Sequence, residues 1–213
     1  MSWRISALVA AGLIAGIALG RLTEDPDSGT SSWDAARAAG FGGYILLWAS
    51  VMSGLALHLR YRPAGNALTW TLELHRICSS LGLSFVAGHV FALLVDPVVP
   101  FSIVDAFIPF TSGYRPIQVG LGTVTLWLTI VVLGSTAFAA RIPYLAWRNL
   151  HYLSFPAYLL AVVHGISSGS DTSQPLALGI YASTAAAVAG MLVARLAGRN
   201  WVEGPAPERL LPR

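Results

Sequence analysis

The chain has one cysteine, no lysine and little charge of either sign. Cys78 alone excludes an intramolecular disulfide or a cysteine-held metal cluster and leaves the redox compartment open. It lies one turn after His75 and reads as a small buried packing residue. Charged residues are 11% of the 213, against 55% hydrophobic ones and a mean hydropathy of +0.64, which excludes a soluble globular domain. All 13 positive charges are arginines, standing singly near the ends of apolar runs, so the pI of about 9.4 reflects membrane topology and snorkelling. No nucleic-acid-binding patch exists. There is also no G-x-G-x-x-G unit anywhere, which excludes that form of dinucleotide site. What remains is one all-helical integral membrane domain over residues 1–213.

Six spans are expected. Arg4 precedes an apolar run at 5–20, read as an uncleaved first helix although a signal peptide has the same pattern. A polar, acidic loop follows to Asp34, and a second span runs from Ala36 to His58, with Gly40, Gly42 and Gly43 as helix-packing positions. The third covers Trp70 to Val95. Between Pro100 and Pro116 the stretch Phe101 to Ile108 is apolar on one side but shorter than the roughly 20 residues a crossing needs, so it reads as an interfacial helix or lid. Spans four, five and six are Ile117 to Ala140, Trp147 to Ile166 and Leu176 to Leu196, and 198–213 is a short tail.

Two of these spans carry two histidines each: His75 and His89 on the third, His151 and His164 on the fifth. Ionisable side chains at membrane depth are costly and mark function. Nine arginines (4, 60, 62, 141, 148, 195, 199, 209 and 213) fall on one side of the six-span scheme and three (21, 37 and 115) on the other. The positive-inside rule then places both termini in the cytoplasm. Spans three and five run the same way, so His75 is level with His151 near the inner side and His89 with His164 near the outer side.

Separations of 14 and 13 residues correspond to about 20 Å along a helix. That is too far for four histidines to share one zinc or non-haem iron, but suits two stacked bis-histidine haems. At 100° per residue His89 returns to within about 40° of His75, with Gly82 on the same face to admit a porphyrin edge. His151 and His164 are less well placed, about 140° apart on an ideal helix, with Pro156 between them to alter its course. His58 has no partner at either spacing and reads as an interfacial residue, with a propionate contact or quinone site as the sharper alternative.

Leu74-His75-Arg76 with a histidine 14 on, and Trp147-Arg148-Asn149-Leu150-His151 with one 13 on, resemble the ferric reductase-like transmembrane domain family. That family includes the membrane parts of ferric reductases and NADPH oxidases and the haem-binding membrane subunit of methionine sulfoxide reductase systems. The resemblance covers residues 36–169. It implies two b-type haems held by His75 with His151 and by His89 with His164. Arg76 and Arg148 are then placed for the propionates of the inner haem, and Arg115 with Tyr114 for the outer one, unless these arginines simply snorkel to headgroups. Many relatives continue into a flavin and nicotinamide domain, for which this sequence has no motif.

Three functions follow as expectations. The first is a transmembrane electron-transfer subunit, fed by a cytoplasmic flavoprotein or by quinol and delivering to an outer redox protein or small oxidant. A flavoprotein would dock on the rim of Arg60, Arg62, Arg141 and Arg148. The second is a self-sufficient reductase of ferric chelates or oxygen. The third is a haem-free transporter with a histidine relay.

Overall fold

The structure is a computed structural model that describes residues 31–58, 67–170 and 172–199. The expected first span at 5–20, the arginines at 60 and 62 and the tail beyond 199 lie outside the described residues. Among the described residues there is no strand. The helices are α1 (Ser31–His58), α2 (Ala67–Leu94), α3 (Ile103–Phe107), α4 (Pro116–Ala137), α5 (Tyr144–His151), α6 (Ser154–Ser168) and α7 (Pro175–Arg199), with a 3-10 turn at Ala139–Arg141.

Five segments are long and apolar enough to cross a bilayer: α1, α2, α4, α5 with α6, and α7. Large apolar side chains such as Leu68, Phe91, Val131, Leu159, Leu176 and Val193 point outward along them. Water does not tolerate so much exposed apolar surface and lipid does, so the chain is a multi-pass helical membrane protein. α1 lies along α2 and α4 along α6, while α1 also meets α6 and α7. Where α1, α6 and α7 converge, Tyr44, Val51, Leu55, Tyr158, Val162, Tyr181 and Val188 form the buried core. Its hydroxyls are satisfied internally, Tyr44 bonding to Tyr158 (3.3 Å) and to Thr184.

Two expected elements differ. α1 begins five residues before Ala36, because Asp34 in its first turn favours the helix N-terminus and pairs with Arg37 at 3.0 Å. The fifth span is two helices. Pro156 has no N–H to give the Tyr152 carbonyl, which accepts instead from Phe155, three residues on (3.1 Å). Leu153 N–H likewise donates to Leu150 (3.0 Å), and Tyr152 and Leu153 sit at φ/ψ −65°/−17° and −63°/−12°. These are the bonds and angles of a 3-10 turn. Roughly four residues at 120° rather than 100° turn the chain about 80° further, which reduces the 140° between His151 and His164 to about 60°.

The connection before α4 is shorter in helix than expected but well tied. Asp96 ends α2 by accepting from Val98 N–H and Val99 N–H (2.9 Å each) and from the Ser32 hydroxyl at the start of α1 (2.8 Å). Only Ile103–Phe107 is helical, begun by a capping box in which Ser102 and Asp105 bond reciprocally. Foremost among the contacts that hold the Asp105 carboxyl below the usual carboxylate range is the Ser102 backbone N–H. Asp105 and Ala106 are buried, whereas Ile103, Val104, Phe107 and Ile108 face outward. Phe110, at φ 68°, lays its ring over Gly120, where there is no room for a Cβ.

Candidate functional site

The histidines meet in the expected pairs. His75 and His151 have ring centres 5.9 Å apart at 63°, and His89 and His164 have theirs 6.4 Å apart at 77°. Metal–nitrogen bonds of about 2 Å on opposite sides of one ion put the centres of two imidazoles roughly 6 Å apart. Among the described residues no group of three or more His, Cys, Asp or Glu converges on one point, so each pair stands alone.

Three of the four imidazoles sit in the same kind of socket. His89 Nδ1 is 2.7 Å from the Ala36 carbonyl, His75 Nδ1 2.8 Å from that of Ser50, and His164 Nδ1 2.8 Å from that of Gln118. A carbonyl only accepts, so in each case Nδ1 carries a proton, which in the neutral ring leaves the Nε2 lone pair available, the tautomer of a metal ligand. Four residues beyond each carbonyl stands a glycine. A Cβ at Gly40 would lie 2.9 Å from the His89 ring, one at Gly54 3.3 Å from that of His75, and one at Gly122 2.7 Å from that of His164. A step of 14 from Ala36 to Ser50 along α1 is thus matched by the step of 14 from His89 back to His75 on the antiparallel α2.

His151 is the exception. Its Nδ1 is buried with no hydrogen-bond partner among the described residues, and so is Arg148 Nε one turn earlier. Its ring stacks on Trp147 at 5.2 Å and 27°. Arg148 stands over the Tyr144 ring, 5.7 Å from its centre.

The other expected site residues fall differently. Gly82 lines the cavity that His89 and His164 share, and its missing Cβ faces α1, 3.5 Å from Leu46 Cβ, so it also serves helix approach opposite Gly43. Arg76 turns outward and pairs with Glu73 at 3.0 Å, both well exposed. Arg115, at φ 45°, donates to the Ser167 and Ser168 carbonyls (3.3 and 3.4 Å), which a cation at a helix C-terminus stabilises. It still borders, with Tyr114, Arg37, Gly40, His89 and His164, a cavity of about 650 Å³, within the range of cofactor sites. Cys78 is buried, as its position suggests. His58 is exposed and its Nδ1 lies 3.0 Å from the Gly54 carbonyl of its own helix. Replacing His58 with alanine is therefore expected to leave the pigment content of the purified protein unchanged, as an absorbance spectrum at equal protein concentration would check.

The socket residues are what sequence reasoning missed. Their signal was present in Gly40 and Gly54, spaced 14 apart like His75 and His89. No protein-family profile, curated protein or solved structure matches the chain.

Proposed function

We propose that this protein is a transmembrane dihaem b-type cytochrome that passes electrons from a cytoplasmic flavoprotein or quinol to an acceptor on the outer side of a cell membrane. The observation that carries this reading is the pair of facing imidazoles repeated at two levels, three of the four with Nδ1 bonded to a backbone carbonyl, which leaves Nε2 for a ligand role. His75 with His151 would hold the inner haem and His89 with His164 the outer one, in a six-span protein with both termini in the cytoplasm.

The residues present fit such groups. The cavity beside His89 and His164 supplies space, and Arg115 borders it. At the other end the buried Arg148 Nε lacks an acceptor, a costly condition that a carboxylate on a bound group relieves. Held by His75 with His151 and by His89 with His164, haem would supply a one-electron couple without an open metal site, which suits electron transfer. The protein's part is to hold the ligands in one tautomer, exclude water with the apolar helices and set the two sites about 20 Å apart along them. An electron moving outward from a negative interior gains up to about 2.3 kcal/mol per 100 mV if it crosses the whole field. A proton relay is disfavoured by the same spacing, which far exceeds a hydrogen bond.

The test is a visible spectrum and haem assay of the purified protein. Two haems b per chain and a low-spin spectrum are expected. A preparation from haem-replete cells without a Soret band would end the proposal and return the histidines to a transporter.

A further inference from the structure

We infer that the two histidine pairs differ in electron affinity, and that the haem of His75 and His151 has the higher reduction potential. This rests on the proposed dihaem reading and concerns what the chain's own residues do to each site.

The inequivalence begins with the missing fourth socket. Fourteen residues along α4 from Gln118 and Gly122 stand Val132 and Thr136, the positions at which a repeat of the pattern would place a carbonyl and a glycine for His151. The Val132 carbonyl is already engaged. It accepts from the Ser135 hydroxyl at 2.8 Å and from the Thr136 hydroxyl at 3.0 Å. Thr136 has a side chain where the socket needs none, and Trp147 Nε1 donates to its oxygen at 3.4 Å. His151 therefore stacks on Trp147 and keeps an unpartnered Nδ1.

An imidazole that donates its second N–H to a carbonyl is a more basic ligand, and greater basicity favours the more positive, oxidised metal. Hydrogen bonding around the ligands is one of the levers by which a protein sets a haem potential. His89 and His164 are both anchored in this way; of the other pair only His75 is.

In the proposed orientation an electron would rest preferentially at the site that His75 and His151 hold, and its onward passage would run against the intrinsic difference and depend on the membrane potential.

A redox titration of the holoprotein tests this, with His89→Ala and His75→Ala assigning the two waves. The haem left in His89→Ala is expected to be reduced at least tenfold more readily than the one left in His75→Ala, a separation of 59 mV or more for a one-electron couple. Thr136→Gly, which leaves the Val132 carbonyl with the Ser135 hydroxyl alone, as the Ser50 carbonyl has only that of Ser53 beside His75, and opens the space next to it, is expected to lower only the higher of the two potentials. Because it leaves all four ligands in place, it serves even if the histidine variants fail to fold. Two haems of equal or reversed potential, or a Thr136→Gly protein with both waves unmoved, would overturn the inference and leave the dihaem reading intact. Absence of haem would overturn both.

Discussion

Alanine in place of His89 or His164 is expected to lower the haem content from two per chain to one, with the remaining haem low-spin and reducible by dithionite. Alanine in place of His75 or His151 is expected to remove the other, and pairing one change from each end to leave none. The prediction follows from the separation of the sites: each pair is closed by two rings from different helices, and about 20 Å of helix lies between the pairs. Loss of one imidazole takes away one of two axial bonds at its own level and touches nothing at the other. Pyridine haemochrome assays normalised to protein would decide it. Retention of two haems in both His89→Ala and His164→Ala would mean that the outer pair is not a ligand pair.

The pairing itself was legible in the chain because it needed only helix direction and rise, and both follow from length and arginine placement. The rotational fit of His151 with His164 was not. A spacing of 13 on a uniform helix gives a poor fit, and the correction depends on a local event, the 3-10 turn at Tyr152 and Leu153, for which Pro156 is only a hint in sequence. Gly82 shares the face of His75 and His89, as periodicity places it, and lines the cavity beside His89; what periodicity did not show is that this face also addresses α1, whose carbonyls at Ala36 and Ser50 receive the two rings. The partners of Arg76 and Arg115, Glu73 on the same helix face and the Ser167 carbonyl at a helix end, were not read from the sequence, because depth alone does not say which way an arginine turns.

The same α1 surface accounts for most of the glycines in the chain's first described helix. Gly42 meets Phe85 and Gly43 meets Val86, so these two let α1 and α2 approach, while Gly40 and Gly54 leave room for imidazoles. One helix thus does two things: packing that any membrane bundle requires, and the seating of two imidazoles against its carbonyls. The tyrosine core on an adjoining side of α1 holds that helix against α6 and α7, so the carbonyls offered to His75 and His89 come from a packed element.

Filling the sockets is expected to release haem in an order set by the clearances. A Cβ at residue 122 would come within 2.7 Å of the His164 ring, at residue 40 within 2.9 Å of His89, and at residue 54 within 3.3 Å of His75. The first two distances are shorter than a side chain tolerates, and the atoms in the way belong to a ring that cannot yield without turning off its carbonyl. Overpacking of this kind costs about 1–3 kcal/mol when the structure can adjust, and here the adjustment is movement of a ligand. Gly122→Val and Gly40→Val are therefore expected to lose the His89–His164 haem while keeping the other. Gly54→Ala requires the His75 ring to give by only a few tenths of an ångström, and is expected to keep both haems with a shift confined to the inner one. Haem content and redox titration of the three purified variants would test the order. If Gly122→Val retained two haems with unaltered spectra, the rings would not be seated in these sockets when the protein is loaded.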